Sequence, residues 1–172
     1  LARWAPERVM YLIFYGKEGS LEEIEAFVSE LKSRAFLSHQ SRKHIEALPR
    51  IGSAMQQLRC AISIVSMIEG CADYKEDALN LMAKMPQIVA TVINHHAGWG
   101  ETPESNPDLS MIDNFIHLLQ CPNKQAKILS EVMRLFAITH FDHGGGNLSA
   151  FVGKAVASGL EDMYIVPAMS DA

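Results

Sequence analysis

Apolar residues in this chain recur at every third or fourth position, in run after run, and almost nowhere alternate. That spacing puts side chains on one stripe of a 3.6-residue helix. No alternating run bounded by hairpin dipeptides appears, so strands have no sequence support and the fold class is predicted to be all-α. Pro6 suits the first turn of a short helix over 6–15, which Gly16 and Gly19 end. Ser20-Leu21-Glu22-Glu23 reads as a capping box, in which hydroxyl and carboxylate satisfy free backbone N–H groups reciprocally. Behind it Leu21, Ile24, Phe27, Val28 and Leu31 share one face. A third helix is predicted over 38–47, stopped by Pro49.

Two more apolar helices follow, over 55–68 and 74–96, the second carrying an internal Pro86 that should kink it. Both are apolar around much of their girth, which predicts burial on several sides, within the domain or against a second subunit. Residues 97–108 are rich in Gly, Pro and polar side chains and read as a loop. Helices are predicted over 109–120 and 123–140, the latter with Leu129, Val132, Met133 and Phe136 as its inner face. Gly144, Gly145 and Gly146 then break the pattern, since each Gly costs a helix about 1 kcal/mol relative to Ala. Asn147 is a good N-cap for a last helix over 148–158, where Ser149, Gly153 and Ala157 form a small-residue face.

The net charge of −5 provides no global positive field, so nucleic acid is not an expected partner. Arg42-Lys43 and the pair Lys124 and Lys127 read as exposed helix faces. Neither a membrane-spanning stretch nor a signal peptide is visible. Cys60, Cys71 and Cys121 are odd in number and lack metal spacing, which points to a reducing compartment with buried or idle thiols. One domain is expected over 1–172.

Chemistry concentrates in His140-Phe141-Asp142-His143-Gly144-Gly145-Gly146-Asn147. A helix end, a glycine-rich bend and a helix start leave backbone N–H groups and a positive dipole end for an anion. His143 and Asn147 flank the glycines and both can donate to oxygen. From spacing alone, a plain glycine turn with an N-cap is the more ordinary reading. His140 and His143 are three apart, but they lack the further ligands of a closed site, so no metal is expected.

The stretch from Glu131 through Met133-Arg134-Leu135 into His140-Phe141-Asp142-His143-Gly144-Gly145-Gly146-Asn147-Leu148-Ser149-Ala150 resembles the citrate synthase signature. Glu161-Asp162-Met163-Tyr164 is similar to that family's Asp-x-Tyr stretch, and Ala83-Lys84-Met85-Pro86 to its Lys-apolar-Pro helix. Asn114-Phe115 and the opening helix with its Gly16 turn agree as well, collinearly and over almost the whole chain. The Gly-Gly-Asn spacing resembles the mitochondrial-type branch.

The resemblance implies a nearly all-α, obligate homodimer that condenses acetyl-CoA with oxaloacetate to citrate and CoA. Acetyl-CoA is a substrate there, and no cofactor is implied. It implies that the chain is a helical fragment from the middle of the large domain, with the N-terminal segment, the rest of that domain and the small domain absent. His143 matches a His that hydrogen-bonds oxaloacetate, and Asn147 an Asn that helps hold it. The helices over 55–68 and 74–96 match those packed across the dimer interface. The catalytic Asp and two His residues are implied to lie C-terminal to Ala172, so no catalytic residue is expected within the chain. The implied compartment is a bacterial cytoplasm or the mitochondrial matrix. Two departures stand out: Gly144 replaces the usual Glu, and Pro167 replaces a small residue. A 2-methylcitrate synthase and a non-catalytic helical interaction module are the alternative readings.

Overall fold

The computed structural model describes residues 5–140, 148–159 and 163–170. The described residues form nine helices and no strand: α1 (Pro6–Tyr15), α2 (Leu21–Arg34), α3 (His39–Glu46), α4 (Ala54–Glu69), α5 (Tyr74–Ala97), α6 (Met111–Leu118), α7 (Ala126–His140), α8 (Leu148–Ser158) and α9 (Ile165–Ser170). The all-α expectation holds.

Local chemistry accounts for most of the boundaries. Ser20 Oγ accepts from the Glu23 N–H while the Glu23 carboxylate accepts from the Ser20 N–H, which is the capping box read from sequence. Ser53 and Gln56 form a second one at the start of α4. Asp73 opens α5 by accepting from the N–H groups of Lys75 and Glu76 at 3.0 and 3.1 Å. Gly16 and Gly98 close α1 and α5 in the left-handed region, at φ 68° and 71°, a conformation costly for residues with a Cβ.

Three apolar clusters make the core, and α5 contributes to each. Ile88 and Val92 join Leu37, Ile45, Ala61, Ile62 and Val65 of the α3–α4 side. Leu79 and Ala83 meet Met10, Tyr11, Phe27 and Leu31 of α1 and α2. Ala90 sits with Ile116, Leu118 and Leu119, against which Leu129 and Met133 of α7 pack. Tyr164, fully buried, returns the end of the chain to the first cluster, and α9 packs against α4 and α8.

Two polar groups tie these layers together. Asn94 is fully buried; its Nδ2 donates to Thr102 Oγ1 and to the Leu118 carbonyl, and its Oδ1 accepts from the Gln120 N–H, all at 2.9 Å. It thereby pins the 98–110 connection and the end of α6 to α5. Glu69 accepts from Lys84 Nζ of α5, from Ser41 Oγ, and from the Ser38 N–H. The side chains of Glu69 and Lys84 are only 10% and 12% exposed. Burial pushes the Glu69 carboxyl up, but Lys84, Ser41 and Ser38 outweigh it and hold it below the usual 4.5.

Several elements depart from the sequence reading. The helix predicted over 109–120 starts later because Ser110 is its N-cap, accepting from the Asp113 N–H at 3.1 Å. The one predicted over 123–140 begins at Ala126, since Asn123 takes a left-handed φ of 57°. Pro86 lies inside α5, which continues through it from Tyr74 to Ala97. Leu21 is 73% exposed rather than internal, because the buried stripe of α2 is carried by Phe27 and Leu31. On α7 the expected inner residues Val132 and Phe136 are 55% and 52% exposed, and neither α7 nor α8 has a fully buried residue. The cysteines are free, with Cys60 and Cys71 exposed rather than buried. Lys124 is no open helix face: its Nζ donates to the carbonyls of Ile116, His117 and Leu119 and caps the end of α6. Arg42 pairs with Glu104 across the 98–110 connection. No helix among the described residues is long and apolar enough to cross a membrane.

Replacing Asn94 by Leu removes three hydrogen bonds, two of them to buried partners, and is expected to cost about 2–4 kcal/mol in urea denaturation. A loss under about 1 kcal/mol would remove Asn94 from its pinning role. Glu69 has a lowered folded-state value, so the stability from its ionisation is complete above pH 4.5 and is lost as pH falls through the lower folded value. Glu69→Gln is therefore expected to be less stable at pH 7 and to flatten the acid limb of stability below pH 4.5. An unaltered acid limb would contradict it. Val132→Lys, at a half-exposed site, is expected to change stability by less than about 0.5 kcal/mol while reducing self-association in light scattering.

Candidate functional site

Helix α7 delivers the chain to the glycine-rich segment, and α8 takes it away. The two residues singled out as substrate ligands, His143 and Asn147, lie outside the described residues, as do Gly144 to Gly146. The structure describes the flanks alone: α7 (Ala126–His140) before the segment and α8 (Leu148–Ser158) after it.

The end of α7 is closed by its own side chains. His140 stacks on Phe136, with ring centroids 3.9 Å apart and planes at 16°. Its Nδ1–H donates to the Phe136 carbonyl at 2.9 Å, which leaves Nε2 as the acceptor of the neutral ring. Thr139 Oγ1 reaches the carbonyls of Leu135 and Phe136, both at 3.0 Å. Each returns to a carbonyl three or four residues back within α7, which already belongs to the helical ladder.

Two depressions adjoin α7. An open groove of about 490 Å3 lies between α5, α6 and α7, walled by Met82, Met85 and Pro86, by Met111 and Phe115, and by Met133, Phe136 and His140. Its lining is almost wholly apolar, and its methionines are adaptable gap-fillers. It ends on the last residue of α7, so the apolar wall and the glycine-rich segment adjoin along the chain. The second depression, about 550 Å3, runs between α6 and α7 past Asp113, His117, Lys124, Lys127, Ser130 and Glu131. There Ser130 and Ser110 both donate to Asp113 and hold its carboxyl below the usual carboxylate range. With Lys124 spent on α6 carbonyls and Asp113 on hydroxyls, this cleft is braced from within.

Among the described residues no group of three or more His, Cys, Asp or Glu side chains could hold a metal ion. His140, weighed with His143 as a possible metal pair, is engaged with Phe136 and Thr139 through Nδ1. His95 Nε2 lies 2.7 Å from the Leu48 carbonyl and braces α5 on the loop after α3. The sequence marks Lys84 only through a family resemblance, and Glu69 and Asn94 not at all, because nothing in a helical pattern marks a polar residue whose partners lie on other helices.

The family described as citrate synthase, C-terminal domain, matches residues 1–169. Mitochondrial citrate synthase 4 of Arabidopsis thaliana is 33% identical over 174 residues, and the mitochondrial citrate synthase of Daucus carota 30%; each match covers 93% of this chain and 36% of the relative. A mitochondrial 2-methylcitrate synthase of Fusarium solani is 28% identical over 176 residues, covering 93% of this chain and 37% of that protein. The crystal structure of citrate synthase from Pyrobaculum aerophilum matches with a TM-score of 0.80 at 26% identity, over 99% of this chain and 46% of that one. The chain thus spans about a third of the length of the curated relatives it matches. A family match over nearly every residue, joined to the same helical fold, assigns this chain to the citrate synthase family.

Proposed function

We propose that the chain is the middle of the large domain of a citrate synthase, and that the whole enzyme joins acetyl-CoA to oxaloacetate, giving citrate and CoA. The observation that carries this reading is the family match over residues 1–169, which contains the helix–glycine–helix segment with His143 and Asn147.

The chemistry sets what the segment must do. Oxaloacetate is a dianion with a ketone. An imidazole, a carboxamide and the positive end of the α8 dipole are the features that such a ligand needs. In this proposal His143 donates to oxaloacetate and Asn147 helps to hold it. The acetyl methyl group is a weak acid, so a carboxylate base must take its proton while a donor stabilises the enolate oxygen. The enolate carbon then attacks the ketone carbon, a second donor protonates the new alkoxide, and water cleaves the thioester to release CoA. Those catalytic groups, an Asp and two His residues, are assigned to sequence beyond Ala172. The reaction needs no cofactor besides its substrate acetyl-CoA.

Several features agree with the wider proposal. The exposed apolar faces of α7 and α8 suit helices that pack on more protein in the complete homodimer. The mitochondrial relatives favour the mitochondrial matrix, with a bacterial cytoplasm as the other compartment. A second reading, condensation of propionyl-CoA to 2-methylcitrate, is favoured by the 2-methylcitrate synthases among the relatives. It adds one methylene to the nucleophile and alters only the acyl pocket.

In the complete enzyme, His143→Ala is expected to raise the KM for oxaloacetate more than tenfold, a loss of over about 1.4 kcal/mol, with a smaller rise for Asn147→Ala. An unchanged oxaloacetate KM in His143→Ala would remove that residue from the site. The ratio of kcat/KM for acetyl-CoA and propionyl-CoA decides between the two acyl substrates. The 172-residue chain by itself is expected to release no CoA from acetyl-CoA plus oxaloacetate, as followed by thiol titration. Release above the uncatalysed rate would overturn the assignment of the catalytic groups to sequence outside it.

A further inference from the structure

We draw no further inference here: the strongest candidate, the methionine-lined apolar groove between α5, α6 and α7, carries nothing because nothing in the structure shows what covers it.

Discussion

Burial of α5 on three sides is the constraint on which the remaining helices depend. Its 24 residues extend about 36 Å at 1.5 Å per residue. Along that length Leu79 and Ala83 face α1 and α2, Ile88 and Val92 face α3 and α4, and Ala90 faces α6. A helix surrounded in this way cannot be read as an amphipathic surface helix, and its mixed sequence shows why. Gln87, Thr91 and Asn94 are buried among the aliphatic residues, so their polar atoms need partners inside the protein. The Gln87 Oε1 accepts from the Leu37 N–H, Thr91 Oγ1 donates back to the Gln87 carbonyl, and Asn94 serves two chain segments at once. Apolar burial supplies the larger driving force; the polar contacts select which segment lies where.

Glu69 shows the same division at the opposite end of the core. A carboxylate with so little exposure would carry a large desolvation cost alone. Lys84, the Ser41 hydroxyl and the Ser38 N–H compensate it, and three helices meet there in consequence: the start of α3, the end of α4 and the middle of α5. Lys84 also belongs to the Lys-Met-Pro sequence by which the chain resembles its family. In this structure that lysine is an internal brace. Pro86 follows within the same helix and lines the apolar groove, and α5 continues through it.

How much of this could be read in advance depends on whether the cause is local. The capping box at Ser20, the break at Gly16 and the long helix from Tyr74 are set by neighbours in sequence, and each is found where expected. Helix α9 has no such signal: six residues are too few to display a period, and Pro167 lies inside it. The face of α7 was misjudged for a different reason. Periodicity identifies an apolar stripe, but it cannot say how much of that stripe is covered by the same chain, and Val132 and Phe136 are half-exposed. Buried polar residues such as Asn94 escape the reading altogether, since their partners are many positions away. For the site, the residue types and their order were legible in His143, the three glycines and Asn147, while the described structure speaks to the helices on either side.

Those helices are held by different parts of the core, and α5 joins the two. On the entry side, Leu129 and Met133 of α7 pack on the cluster containing Ala90. On the exit side, α8 rests on α9, α9 rests on α4, and Tyr164 is buried with Ile88 and Val92. Ala90 and its neighbours Ile88 and Val92 are thus consecutive supports on one helix, facing opposite clusters. A segment strung between α7 and α8 inherits its end points from that arrangement, although no residue of α5 belongs to it. Ile88 therefore bears on the α8–α9 side and Ala90 on the α7 side, and α5 couples the two flanks.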